Sequence, residues 1–119
     1  MATDVVVVEL EGELDLGTID RVDSQLSVLD GTEDIVIDLR RTTFVDSVTL
    51  ARFVSAARRQ AAGGGRLVLA EARASAVRRV LSITQLDRVL PYADTVDEAI
   101  QLLRDPGPGA DDRAEHGPA

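Results

Sequence analysis

The sequence contains no cysteine, no tryptophan and no lysine. Without cysteine, neither a disulfide framework nor a thiolate metal site can form. The aromatic residues are Phe44, Phe53 and Tyr92, so a buried core has to be built mainly from Val, Leu, Ile and Ala. The lone histidine, His116, lies in a Gly/Pro-rich segment and has no second histidine to pair with. These absences disfavour a histidine-based catalytic or metal site.

The charge balance is acidic, with a formal net charge of -8. Binding to nucleic acid needs a basic face that neutralises phosphates, so we do not expect a nucleic-acid partner. The first residues, 1–4, lack the basic start and long apolar run of a signal peptide. No apolar stretch approaches the length of a membrane span. We therefore expect a cytoplasmic protein that does not contact the membrane.

Predicted strands and helices alternate along the chain, which is long enough for one domain with its own core. Apolar runs predict buried strands at residues 4–10, 35–39, 66–70 and 88–90, the last ended by a proline. Helical spacing predicts four apolar stripes: Ile19, Val22, Leu26 and Leu29; Leu50, Phe53, Val54 and Ala57; Ala76, Val77, Val80 and Leu81; Val96, Ala99, Ile100 and Leu103. This order predicts an α/β fold with a mostly parallel four-stranded sheet, about four helices and right-handed crossovers.

Turn and capping residues predict where these elements begin and end. Gly12 is expected to end the first strand before a turn at residues 13–17, and Gly31 to end the first helical region. The glycine triplet at residues 63–65 precedes a predicted strand, and no Lys-Ser/Thr follows it. This context favours a helix terminus over a phosphate-binding loop. Predicted helix caps are Thr18, Ser75 and Thr95, the last in a capping box with Glu98.

Residues 1–103 are predicted to form the domain, and the acidic Gly/Pro-rich residues 104–119 are predicted to form a disordered tail.

The carboxyl ends of parallel strands form the usual functional edge of such a sheet. Asp15, Asp46, Ser47 and residues 71–73 are predicted to fall on that edge. Asp46 can cap the second helix by accepting its free N–H groups, which leaves the Ser47 hydroxyl exposed at the first helical position. A phosphate on Ser47 would meet the positive end of the helix and would add about -1.5 to -2 charges.

The residues alone leave two interpretations of Asp46 and Ser47 open. In one, the pair simply begins a helix; in the other, Ser47 is a regulated surface hydroxyl that controls a partner. A nucleophilic serine is disfavoured, because no histidine base lies nearby in the sequence and the Gly-x-Ser-x-Gly pattern is absent. We therefore expect a binding protein and not an enzyme.

An ordered set of short segments resembles the bacterial STAS-domain anti-sigma factor antagonists. The segments are Gly-Glu-Leu-Asp (12–15), Val-Ile-Asp-Leu (36–39), Phe-Val-Asp-Ser (44–47), Gly-Gly-Arg-Leu-Val-Leu (64–69), Ala-Val-Arg-Arg-Val-Leu (76–81) and Leu-Asp-Arg (86–88). No one segment is specific for the family, but the occurrence of all of them in this order over residues 5–103 is specific for it. This resemblance favours the regulated hydroxyl over the plain helix start.

The resemblance implies a partner switch. In this family the unmodified antagonist binds an anti-sigma factor that is also a serine kinase, and so frees a sigma factor. The kinase phosphorylates the serine that matches Ser47, and a serine phosphatase resets it. ATP and magnesium belong to the kinase, so no cofactor is expected on this chain. The family's partner surface matches Asp15, Thr43, Asp46, Ser47, Val48, Thr49 and Leu50.

Three departures from the family pattern carry their own expectations. The family's common Asp-Ser-Ser-Gly-Leu is Asp46-Ser47-Val48-Thr49-Leu50 here, so Thr49 replaces the glycine. This change is expected to place a β-branched side chain where the partner approaches. It also makes Thr49 a second, less favoured phosphorylation site. Gln85 replaces a common glycine, and a left-handed glutamine costs about 1 kcal/mol, so that turn is expected to differ. The chain is expected to have no room for the family's additional N-terminal strand, and the resulting free edge suggests a homodimer.

A second hypothesis keeps the same fold but assigns a different function. The chain would then be a STAS accessory subunit, or a ligand-binding module, of a membrane transporter, without a phosphorylation cycle. The Asp46-Ser47 pair favours the antagonist, whereas the Val48-Thr49 departure favours the transporter module.

Overall fold

The computed structural model describes residues 5–27, 31–70 and 75–104, with the backbone alone for residues 75–78 and 87. The elements follow in the order β1 (Val5–Leu14), α1 (Ile19–Ser27), β2 (Asp34–Val45), α2 (Ser47–Gly63), β3 (Leu67–Ala70), α3 (Ser75–Ile83), β4 (Tyr92–Ala93) and α4 (Val96–Arg104), with a 3-10 turn at Leu86–Arg88 before β4. Leu29, residues 71–73 and the tail from residue 105, which all entered the sequence predictions, lie outside the described residues.

The strands form one four-stranded sheet in the order β1-β2-β3-β4, and every pair is parallel. The predicted α/β architecture with four helices is therefore confirmed. Successive parallel strands that lie side by side require crossover helices, and right-handed crossovers place these helices on one face of the sheet. The fourth helix follows the last strand and is free to cover the opposite face.

Two apolar clusters show how the faces are covered. The larger cluster joins β1, β2 and β3 to α1 and α2, and also contains Leu81 of α3 and the buried Leu90. Phe53 of α2 is fully buried within it. The smaller cluster packs α4, through Ala99 and Leu103, against the other face of β2, β3 and β4. Among the described helices, α4 thus packs by itself on its side of the sheet.

The first two strands are longer than predicted. The expected break at Gly12 is wrong: β1 continues to Leu14, with Gly12 at φ 82° inside the strand. β2 continues through its polar residues to Val45. Register shifts after Glu9 and after Gly12 insert an extra residue into β2 each time, which allows the irregular pairing to continue.

Polar contacts hold this extension together. Arg40 forms an ion pair with Glu9 at 3.4 Å, and the Thr42 hydroxyl donates to the Leu10 carbonyl at 2.9 Å. β3 pairs only with the residues from Ile35 to Asp38, so the later part of β2 pairs with β1 alone within the described sheet. We call this part, residues 10–14 with 39–45, the β1–β2 ribbon.

The predicted strand at residues 88–90 is also wrong. The chain makes a 3-10 turn there, and the Leu90 N–H donates to the Leu86 carbonyl at 2.7 Å. Leu90 is buried by this turn, so its apolar character indicates burial and not a strand. The strand begins after Pro91, whose carbonyl accepts from the Leu69 N–H at 2.8 Å.

The helix ends agree with several of the predicted signals. Gly64, at φ 97°, ends α2 in the left-handed conformation, so the glycine triplet terminates a helix as predicted. The Thr95 hydroxyl oxygen accepts from the Glu98 N–H at 3.0 Å at the start of α4. Thr18 precedes α1 as predicted, but its hydroxyl accepts from the Asp15 N–H and so stabilises the preceding turn. Ser75 is the first residue of α3, and its side chain lies outside the described residues.

Gln85 keeps the backbone conformation that a glycine would favour. Its φ and ψ are 61° and 20°, in the left-handed region, and it is the one non-glycine residue of the described chain with a positive φ. The turn thus holds a left-handed residue that carries a side chain. The expected difference from the family's turn stays a prediction.

Candidate functional site

The predicted functional edge forms where β1 and β2 end together. Leu14 and Val45 are register partners at the ends of the two strands, and Asp15 and Asp46 follow them directly. The Asp46 N–H donates to the Leu14 carbonyl at 2.9 Å, so the pairing continues one residue beyond β2. The two aspartates that sequence analysis placed on one edge are thus on neighbouring strand ends.

Asp46 caps α2, as predicted. Its backbone is extended, with φ -89° and ψ 176°, and its Oδ1 accepts from the Thr49 N–H at 2.8 Å. The N–H groups of the first helical turn lack carbonyl partners within the helix, so a carboxylate here satisfies one of them and faces the positive end of the helix.

The second oxygen of the same carboxylate binds the neighbouring turn. Asp46 Oδ2 accepts from the Leu16 N–H at 3.1 Å, which joins the β1–α1 turn to the start of α2. The turn is also braced internally, because Asp15 Oδ1 accepts from the Gly17 N–H at 2.9 Å. One side chain therefore fixes the relative position of two loops that are 30 residues apart in sequence.

These contacts favour the ionised form of Asp46. The Thr49 N–H is the main cause that lowers the pKa of this carboxyl below its ordinary value of 3.8, and the Leu16 and Val48 N–H groups add to it, while partial desolvation opposes them. Asp46 is therefore a carboxylate at neutral pH, and the edge carries a fixed negative charge beside Ser47.

Ser47 is the first residue of α2 and is exposed. Val48, which follows it, is 38% exposed. The Ser47 hydroxyl thus stands at the helix N-terminus, where N–H groups and the helix dipole favour an anion. The structure gives Ser47 the position and the exposure that the sequence predicted, and its role as a phosphorylation site stays a prediction.

Thr49 and Leu50 point into the protein. Thr49 is fully buried at 0% exposure, and Leu50 belongs to the larger apolar cluster. The expectation that a β-branched side chain at position 49 would obstruct a partner is therefore wrong, because that side chain faces inward. Neither residue supplies contact surface, and the Thr49 hydroxyl is not accessible to a kinase while the first turn of α2 is folded.

Two large apolar residues on this edge were not named among the predicted partner-binding residues. Leu16 is 69% exposed in the turn that Asp46 holds, and Phe44 is 49% exposed near the end of β2. Alternation could have identified Phe44, because its neighbour Val45 is buried and successive strand residues face opposite sides. Thr43 is the extra residue between the register pairs Gly12–Thr42 and Glu13–Phe44, and it is exposed.

The resulting surface combines apolar, acidic and hydroxyl groups. We call it the switch surface and define it by Asp15, Leu16, Thr43, Phe44, Asp46, Ser47 and Val48. Within residues 5–27, 31–70 and 75–104, no group of three or more His, Asp or Glu side chains is placed to hold a metal ion. The arrangement suits protein binding, because apolar side chains exposed together among polar groups are typical of interfaces.

Comparison with known proteins places these features in a family context. The family model of the STAS domain matches residues 2–99. The fold is similar to that of an anti-sigma factor antagonist from Mycobacterium paratuberculosis, with 29% identity and a TM-score of 0.76 over 88% of this chain and 92% of the other. It is also similar to the Bacillus cell fate determinant SpoIIAA in the phosphorylated form, with 26% identity and a TM-score of 0.65 over 87% and 95% of the two chains.

A third structural neighbour is a sulfate transporter family protein from Wolinella succinogenes, with 19% identity and a TM-score of 0.68 over 83% of this chain and 85% of the other. At this identity the likeness shows the fold alone. Among the described helices of the present chain, none combines the length and apolar character that crossing a membrane requires.

Proposed function

Because this chain belongs to the STAS domain family, we propose that it is an anti-sigma factor antagonist that is switched by phosphorylation of Ser47. In the unphosphorylated state it binds an anti-sigma factor that is also a serine kinase, and this binding releases a sigma factor. The observation that carries the proposal is the exposed Ser47 hydroxyl at the first position of α2, directly after the capping Asp46. The similarity to the mycobacterial antagonist and to phosphorylated SpoIIAA supports it.

The helix N-terminus can accept a phosphate without loss of the fold. The positive end of α2 and its free N–H groups offset part of the added charge. Binding of the partner is weakened, because phosphorylation adds about -1.5 to -2 charges beside the ionised Asp46, on the surface that the partner covers. A like charge about 5 Å away costs roughly 1 kcal/mol in water and about 3 kcal/mol at an intermediate effective dielectric constant. Several kcal/mol correspond to a hundredfold or more in affinity, which is enough for a switch.

We assign the binding of the anti-sigma factor to the switch surface. The exposed Leu16, Phe44 and Val48 supply apolar contact, and Asp15 and Asp46 supply charge at its edge. Thr49 and Leu50 support the surface from inside. A Phe44→Ser variant should weaken partner binding about tenfold or more while the protein stays folded, because large aromatic side chains dominate interfaces. Ile83, 73% exposed on α3, is the matched control, and Ile83→Ser should leave binding unchanged.

The remaining components belong to the partners. The kinase brings ATP and magnesium, and a serine phosphatase restores the free hydroxyl, so this chain acts without a cofactor and without catalysis of its own. Residues 1–103 form the STAS domain in this proposal, and the protein works in the cytoplasm, where sigma factors act.

We also infer that two copies form a homodimer through the free edge of β1, which within the described residues pairs with β2 alone.

Phosphorylation of the purified chain by candidate anti-sigma kinases tests the proposal. Mass spectrometry after incubation with ATP should place the phosphate on Ser47. Ser47→Ala should bind the unmodified partner as the wild type does and stay bound after ATP is added, whereas Ser47→Asp should bind more weakly. Ser55 is an exposed serine on the same helix, and Ser55→Asp should bind normally.

Two results would count against the proposal in different ways. If Ser47→Asp binds the anti-sigma factor as tightly as the wild type, the electrostatic switch is wrong although the partner is right. If no anti-sigma factor binds and no kinase modifies the chain, a STAS module of a membrane transporter becomes the better assignment. Co-purification with a membrane transporter would then identify it.

A further inference from the structure

A cavity of about 300 Å³ lies at the edge of the sheet opposite the switch surface. It is bounded by α2, by the start of β3, by the loop before β4 and by α4. The residues that define it include Ala57, Ala61, Arg66, Leu67, Val89 and Leu102. Arg66 is the one charged residue among those that line it.

The short β4 explains why the cavity exists. β4 pairs only with Leu69 and Ala70, so within the described sheet the first half of β3 pairs with β2 on one side and has no strand on its β4 side. The Leu69 N–H binds the Pro91 carbonyl on that side at 2.8 Å, and alternate strand residues direct their backbone groups to the same side. The backbone of Leu67 therefore faces the space that a longer β4 would have filled.

Arg66 is held in place at the mouth of this space. Its backbone N–H donates to Asp34 Oδ1 at 3.0 Å, and its Nη2 donates to the Leu103 carbonyl at the end of α4. A guanidinium has five N–H donors, and its hydrogen bond to the described residues occupies one of them, so the others can bind a ligand. A partly open apolar cleft with one cation at its rim, hydrogen-bonded to the end of α4, matches a molecule that has an apolar body and one anionic head.

We propose that this cavity binds a medium-chain fatty carboxylate, with the hydrocarbon chain against Leu67 and Leu102 and the carboxylate on Arg66. The volume is at the small end of the range for ligand sites, which suits about eight carbons better than a nucleotide. Arginine pairs with carboxylates in a bidentate geometry that a neutral hydroxyl cannot match. The site lies away from Ser47, so this proposal does not depend on the phosphorylation switch.

Calorimetric titration of the full chain with octanoate and with 1-octanol tests the proposal. Octanoate should bind at least tenfold more tightly than 1-octanol, because a hydrogen bond to a charged group is worth about that factor. Arg66→Gln should remove this preference and leave weak binding of both. Arg58 is an exposed arginine on α2 that does not line the cavity, and Arg58→Gln should bind octanoate as the wild type does.

Filling the cavity gives an independent readout. Ala61→Phe should abolish octanoate binding while circular dichroism shows an intact fold. In the wild type, octanoate should shift the NMR methyl signals of Leu102 and Val89 and leave those of Leu16 and Val48 unchanged, so the assignment stays testable if the variant does not fold. Equal affinity for octanoate and 1-octanol, binding that survives Ala61→Phe, or no binding of octanoate would each overturn the proposal.

Discussion

The carboxylate of Asp46 joins α2 to the β1–α1 turn, because its two oxygens accept from Thr49 and Leu16. Replacement by alanine removes both contacts and leaves two N–H groups without this acceptor. We expect Asp46→Ala to lower the urea midpoint of unfolding by more than Asp20→Ala does. Asp20 lies in the first turn of α1 and provides an acidic control at another helix start. Equal losses in the two variants would show that Asp46 does not connect the two loops.

The lowered pKa of Asp46 also predicts how its contribution depends on pH. A carboxyl whose pKa is lower in the folded state stabilises that state above its unfolded pKa, near 3.8, and loses this contribution as the pH falls through the lower folded value. The stability difference between wild type and Asp46→Asn should therefore be constant near neutral pH and should shrink below pH 3.8. Urea titrations of both proteins at several acidic pH values measure this difference. A difference that stays constant down to the acid transition would contradict the assigned cause.

Gln85 offers a test of backbone strain. Because it occupies the left-handed region at φ 61°, Gln85→Gly should stabilise the protein by up to about 1 kcal/mol: relief of the steric cost exceeds the entropy that glycine loses on folding. The matched control is Gln25→Gly, an exposed glutamine inside α1, which should destabilise the protein by about 1 kcal/mol. Denaturant unfolding of both variants would show opposite signs if the strain is real.

Sequence analysis found those parts of the site that depend on local chemistry. An aspartate followed by an apolar helical stripe predicts a capped helix start, so the positions of Asp46 and Ser47 followed from the sequence. The bond from Asp46 to the Leu16 N–H could not be predicted, because it depends on how β1 and β2 align. That alignment includes two register shifts for which the sequence has no clear signal.

At the scale of elements, strand ends were harder to predict than strand centres. Buried runs such as residues 35–39 are apolar except for Asp38 and were found, whereas the ribbon part of β2 has polar side chains on an exposed face. Its pairing is supported by cross-strand ion pairs and a threonine hydrogen bond, which a pattern of hydrophobicity does not reveal. At residues 88–90, an apolar run was buried by a 3-10 turn, and length alone could not distinguish this from a strand.

The glycine triplet after α2 has a packing role as well as a capping role. A Cβ on Gly65 would collide with the Glu33 carbonyl. A Cβ on Gly64 would lie in open space, so a side chain there would cost only the strain of a left-handed backbone at φ +97°. We expect Gly64→Ala to destabilise the protein by about 1 kcal/mol. Gly65→Ala should cost more than about 2 kcal/mol, because backbone has to move. Thermal unfolding of both variants checks the order, and a larger loss for Gly64→Ala would contradict the packing argument.

At the scale of the whole molecule, charge limits how two copies can meet. Glu9, Glu11 and Glu13 are exposed at alternate positions along the second half of β1, where like charges on a second copy would repel them. The first half is Val5 to Val8, with Val7 at 44% exposure. The proposed homodimer should therefore pair through this valine half.

Sedimentation at rising concentration tests this arrangement. The wild type should form dimers at high micromolar concentration, and Val7→Glu should remain monomeric because it extends the run of charge along the edge strand. Ile83→Glu introduces the same charge on α3 and should dimerise normally. A wild-type protein that stays monomeric at high micromolar concentration would rule out the edge dimer.

The β1–β2 ribbon has a consequence for the timescale on which the protein opens locally. Amide protons of β2 between Ile35 and Asp38 lie between two partner strands, whereas those from Arg40 to Val45 have β1 alone beside them. The second group should exchange with deuterium faster, through small openings that leave the centre of the sheet closed. On this expectation, the switch surface lies at the less protected end of β2, whose other end is paired on both sides. A partner can reshape that end at small cost while the sheet keeps its register.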